Sequence, residues 1–86
     1  MTLAEVESTR WAKKFKAYFP ADYGQAIALA QMPNLEVELW LDTNESPSFA
    51  WKLATKGENN ECFWLATGLS NEEARALAAA MGWRLV

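Results

Sequence analysis

Histidine is absent from this 86-residue chain. That absence removes the commonest general base, the commonest metal ligand and every Ser-His or Cys-His nucleophile pair. The single cysteine, Cys62, sits in an alternating run that reads as a strand. A lone cysteine there acts as a small hydrophobe rather than a nucleophile, and one thiol can neither close an internal disulfide nor complete a structural zinc site. Glu36, Glu38 and Asp42 share one side of another such run. Paired carboxylates do acid–base work when their surroundings push their pKa values apart; these alternate along a solvated face with no apolar pocket implied. The stretch from Asp42 to Ser46 starts like a calcium loop, but Pro47 stands at its sixth position and Leu53 at its twelfth, where Gly and Glu are required. The four glycines are scattered singly, so there is no phosphate-cradling loop. The expectation is a protein with no catalytic residue, no metal and no cofactor.

The elements that position these residues centre on Leu35–Thr67. Leu35, Val37, Leu39 and Leu41 alternate with Glu36, Glu38, Trp40 and Asp42, the period of a half-buried strand. Thr43 to Pro47 reads as a turn. A second strand is expected over Ser48–Thr55, with Phe49, Trp51 and Leu53 inward and Ala50, Lys52 and Ala54 outward. Lys56-Gly57-Glu58-Asn59-Asn60 reads as a hairpin loop. The third run, Glu61–Thr67, turns in either Phe63 and Leu65 or Cys62, Trp64 and Ala66; a one-residue slip exchanges the faces, and the first assignment is adopted.

In that register Trp40 and Trp64 lie on the outer face with Ala50, Ala54, Ala66 and Cys62, rimmed by Glu36, Glu38, Asp42, Lys52 and Glu61. An apolar centre anchored by tryptophan, with an acidic rim, is how a protein-binding patch is composed. Coverage by another element would instead make both tryptophans core residues. Trp11, Trp51 and Trp83 are expected in the core.

The flanking segments read as helices covering the sheet. Thr2 and Glu5 form a capping box, and Ala4, Ser8, Trp11, Phe15 and Tyr18 recur at helical spacing, with Ala12 and Phe19 widening the stripe, predicting one amphipathic helix over 3–19 that Pro20 ends. Residues 21–32 predict a short second helix with Tyr23, Ala26, Ile27 and Ala30 on one face. Ser70 and Glu73 repeat the capping box, Ala74, Leu77, Ala78 and Met81 form the inward stripe of a last helix, and Gly82 stops it. Trp83 to Val86 is expected either to add a fourth strand or to dock its indole in the core. The fold class is therefore α+β: one or two N-terminal helices, a three-stranded antiparallel meander, a C-terminal helix and a short extended tail. Helices pack on one sheet face, and the chain makes a single domain over 1–86.

Charge is uneven. Arg10, Lys13, Lys14 and Lys16 fall within seven residues, while the rest of the chain carries four basic residues against eleven acids, 4 − 11 = −7. The net charge of −3 argues against general nucleic-acid binding, which depends on phosphate neutralisation, but leaves room for a local contact through the basic strip. No apolar stretch reaches the ~20 residues that span a bilayer, and Met1 to Glu7 lacks the basic-then-apolar pattern of a secretory signal. With a single cysteine, the cytoplasm is the expected location.

Three functional readings follow. The leading one is a non-catalytic interaction module: a small acidic inhibitor, an immunity-type or anti-defence protein of a phage or bacterium, an adaptor or a subunit. Its partner would be a protein, basic or itself nucleic-acid-binding, or a second copy of the chain. In the alternative reading, Arg10, Lys13, Lys14 and Lys16 contact nucleic acid. The order helix, three strands, helix is similar to that of the double-stranded-RNA-binding domain, and this resemblance implies RNA binding. Such domains carry a lysine cluster opening the last helix; this chain has Ser70-Asn71-Glu72-Glu73 there, which repels phosphate. An enzyme working with carboxylates alone is the third reading.

Overall fold

The structure is a computed structural model, and it describes residues 1–57 and 59–86. Its architecture is α+β: among the described residues it has four α-helices, one 3-10 turn and a four-stranded mixed sheet. The chain divides into two compact units, Met1–Pro33 and Asn34–Val86.

The first unit is helical. α1 spans Leu3–Glu7 and α2 spans Arg10–Tyr18, so the single helix expected over 3–19 is broken at Ser8 and Thr9. The cause is hydroxyl competition for the backbone. Ser8 Oγ donates to the Glu5 carbonyl at 2.8 Å, and Thr9 Oγ1 donates to the Val6 carbonyl at 2.7 Å. Thr9 is extended (φ −71°, ψ 152°), and its hydroxyl accepts the Ala12 N–H at 3.1 Å as a new N-cap. The break moves the inward stripe. Val6, Trp11, Ala12 and Phe15 are buried, whereas Ala4, Ser8, Tyr18 and Phe19, expected inward, are exposed. The expected stop at Pro20 is present: a 3-10 turn, Pro20–Asp22, leads into α3, Tyr23–Ala30. α3 packs against α1 and α2 and buries Ala26, Ile27, Leu29 and Ala30.

The second unit holds the sheet. β1 is Glu36–Leu41, β2 Trp51–Lys56, β3 Cys62–Leu69, α4 Asn71–Met81 and β4 Arg84–Leu85. Strand order is β3-β2-β1-β4. The first three strands form the expected antiparallel meander. β4 adds a fourth strand, parallel to β1, with Glu36 opposite Arg84 and Val37 opposite Leu85. Trp83, just before it, is also buried, so the tail does both things expected of it.

β2 starts three residues later than expected. The turn consumes those residues: Asp42 Oδ1 accepts the Asn44 N–H at 3.0 Å, and the Phe49 N–H bonds to the Ser46 carbonyl at 2.8 Å. Phe49 therefore sits in the loop, 61% exposed, not inward in a strand. The hairpin loop expected around Gly57 closes through Gly57 N–H to the Glu61 carbonyl at 2.7 Å, with Asn60 left-handed (φ 64°); Glu58 in that loop lies outside the described residues.

The adopted register holds, with Phe63 and Leu65 buried and Cys62 and Trp64 exposed. Ala54 faces Trp64, Leu53 faces Ala66 and Trp51 faces Leu69. β3 thus advances two and then three residues while β2 advances one and then two, so the pairing shifts register at two places. α4 packs on β2 and β3. Its small residues Ala74 and Ala78, with Met81, are buried on the side where Leu53 (0% exposed) and Leu65 (1%) point. Ser70 caps α4 reciprocally with Glu73. Gly82 ends it at φ 73°, a backbone state that costs glycine nothing, and the Trp83 N–H then bonds back to the Ala78 carbonyl at 2.9 Å.

Candidate functional site

The outer sheet face is built from every second residue of three strands. Trp40 on β1 lies opposite Lys52, and Trp64 on β3 lies opposite Ala54. One strand separates the two tryptophans, a gap of roughly 10 Å between backbones. Their rings nonetheless meet edge to face, with centroids 5.7 Å apart and planes at 76°, a geometry that aligns the positive edge of one ring with the negative face of the other. They meet on a diagonal across β2, Trp40 being level with Lys52 and Trp64 with Ala54. Ala54, on the strand between them and opposite Trp64, is only 2% exposed although it faces outward. The outward alanines expected at the surface, Ala50 and Ala54, are both buried.

Both rings are clamped by their own chain. Trp40 Nε1–H donates to Glu38 Oε2 at 3.1 Å, two residues away on the same face. Lys52 Nζ stands 5.3 Å from the centre of the Trp64 ring and 3.7 Å from Asp42 Oδ2. The rings still present large surfaces, Trp40 being 47% and Trp64 41% exposed. They are surface residues and not core; Trp11 and Trp83 are buried as expected, and Trp51 is half-buried.

The rim is less acidic than its carboxylates imply. Arg84 Nη2 reaches Glu36 Oε1 at 2.9 Å, and Lys52 offsets Asp42. Among the described residues, Glu38 and Glu61 are the rim carboxylates without an ion pair. Arg84 was not foreseen as part of this face. Its place follows from the parallel pairing of β4, and the only sequence signal was the extended character of the tail. The three strand carboxylates are each tied to a different donor: Glu36 to Arg84, Glu38 to the Trp40 indole and Asp42 to Lys52.

Cys62 is an exposed free thiol at the start of β3, on the outer face where the adopted register puts it. No cluster of three His, Cys, Asp or Glu residues able to hold a metal ion occurs among the described residues. No helix among them is long and apolar enough to cross a membrane.

The basic set lies in the other unit. Arg10, Lys13, Lys14 and Lys16 are all on α2 and all exposed. The opening of α4, where the double-stranded-RNA-binding resemblance needs cations, carries Glu72 and Glu73 in its first turn. No family model, curated protein or solved structure matches this chain.

Proposed function

We propose that this chain is a non-catalytic protein-interaction module that binds a protein partner through the outer face of its sheet. The observation that carries this reading is the Trp40–Trp64 pair. The two indoles are exposed, packed edge to face, and held by Glu38 and by Lys52 with Asp42. Rings ordered before binding lose little side-chain entropy on complex formation, and tryptophan is the residue most enriched at binding hot spots. A standard stable interface needs about 800 Å² from each partner, more than two indoles expose. The partner therefore laps onto the rim, where the uncompensated Glu38 and Glu61 favour its basic side chains. A small inhibitor, immunity-type protein, adaptor or subunit works in this way. A cytoplasmic setting suits the exposed Cys62, since a reducing compartment keeps it a thiol.

The test is affinity capture from source-cell lysate with wild type and the Trp64→Glu variant, accompanied by sedimentation of each protein alone. The expected result is one protein retained by wild type and lost with a variant whose circular dichroism is unchanged. Loss of a wild-type dimer in the same variant would identify the partner as a second copy. Equal retention by both forms, or monomeric wild type that captures nothing, would remove this face as the binding site.

A further inference from the structure

The basic face of α2 belongs to neither the Trp40–Trp64 site nor the unit that carries it. At 100° per residue, Arg10, Lys13, Lys14, Lys16 and Tyr18 occupy one continuous exposed arc, and Trp11, Ala12 and Phe15 fill the buried arc opposite. Among the described residues none of the four cations forms a salt bridge. Leaving four like charges unpaired on two turns of helix costs repulsion, which an anionic partner relieves.

The same arc supplies a ring face. Tyr18, one turn beyond Lys14, is 70% exposed, whereas the Phe19 ring turns to the other side and packs against Phe15, with centroids 5.4 Å apart. Tyr23 is half-buried, with Lys16 Nζ 5.4 Å from its ring centre. Cations interleaved with accessible aromatic rings are the pattern of single-stranded nucleic-acid binding, in which phosphates meet the charges and unstacked bases lie on the rings. Duplex binding would use the charges and leave the rings idle. A lipid surface fits less well, because the apolar face of α2 is already buried and has nothing to insert.

Opposing charge is present: Glu5, Glu7 and Asp22 share this unit, whose net charge is 4 − 3 = +1. Screening beyond ~10 Å at 0.1 M salt confines their effect to near neighbours.

We infer that the exposed face of α2 is a weak binding site for single-stranded nucleic acid, with Arg10, Lys13, Lys14 and Lys16 on phosphates and Tyr18 as a stacking platform. The site is independent of the sheet face, so either can fail without the other. The probe is a fluorescein-labelled, mixed-sequence single strand of ~12 nucleotides, as DNA and as RNA, followed by anisotropy. Engagement of about three phosphates lowers affinity about 20-fold between 50 and 200 mM salt. Lys13→Gln/Lys14→Gln/Lys16→Gln is expected to abolish binding, and Tyr18→Ala to weaken the single strand about fivefold or more while leaving a matched duplex unaffected. Because all four side chains are solvent-exposed, both variants keep the wild-type circular dichroism. No binding at 50 mM salt would overturn the proposal, as would retention by the glutamine variant or indifference to Tyr18→Ala. So would capture by phosphatidylserine vesicles in place of the oligonucleotide.

Discussion

The Trp40–Trp64 contact makes a quantitative prediction through a double-mutant cycle. Trp64 is 41% exposed, so 100 − 41 = 59% of its surface is covered; for Trp40 the covered share is 100 − 47 = 53%. Taking a large aromatic surface of about 230 Å², each ring hides roughly 130 Å², which at ~25 cal/mol per Å² is about 3 kcal/mol. Part of that area is already hidden in the unfolded chain, which brings the burial part of each single alanine substitution to about 2 kcal/mol. The edge-to-face contact adds its own coupling of about 1 kcal/mol. Trp40→Ala and Trp64→Ala singly should therefore cost about 3 kcal/mol each, and the double variant about 5 kcal/mol, about 1 kcal/mol less than their sum. The assay is urea unfolding followed by far-ultraviolet circular dichroism, since five tryptophans confuse a fluorescence signal. A coupling below about 0.3 kcal/mol, the range in which distant substitutions simply add, would show that the rings do not touch in solution. Single-variant losses above about 4 kcal/mol would place the rings in a core, and the binding-face argument would fall with them.

The remaining predictions test the scaffold. Leu53, fully buried beneath α4's side of the sheet, should cost about 2–5 kcal/mol as Leu53→Ala in the same unfolding assay, and a loss under about 1 kcal/mol would refute that packing. Thr9→Ala removes the hydroxyl that accepts the Ala12 N–H and starts α2; about 1 kcal/mol should be lost, and no loss would mean that α1 and α2 do not depend on this cap. The backbone N–H of Thr2, followed by its side-chain contact, holds the exposed Glu5 carboxyl below its usual pKa of 4.5. Because the folded value is the lower one, the cap's contribution is complete above the ordinary value and fades as pH falls through the folded one. A nuclear magnetic resonance titration should show the Thr2 amide shifting with an apparent pKa below 4.5, and a midpoint at or above that value would remove the capping box.

Much of the sheet was legible because its signals are local. Strict alternation in Leu35–Asp42 located β1, the Ser70–Glu73 box located the start of α4, and Gly82 located its end. Alternation also placed Trp40 on the same side as Glu38, since the relative face of two residues in one strand follows from parity alone. The helix break at Ser8 and Thr9 was misread because helical spacing continues across it; two hydroxyls outcompeted that pattern by bonding to the Glu5 and Val6 carbonyls. Phe49 was misread for a similar reason, its alternation with Trp51 being overridden by the hydrogen bonds of the preceding turn.

Periodicity within each run, the capping pairs, the absence of histidine and the clustering of four cations near the first helix are properties of the sequence alone. Everything that turns separate residues into a site came from tertiary structure. The edge-to-face meeting of Trp40 and Trp64 depends on which strands flank β2 and on the register that sets them diagonally across it. The neutralisation of Glu36 depends on β4 returning parallel to β1, a pairing between residues 48 positions apart (84 − 36). Such contacts are decided by register and burial across strands, where the free energy depends on neighbours that the local pattern does not specify.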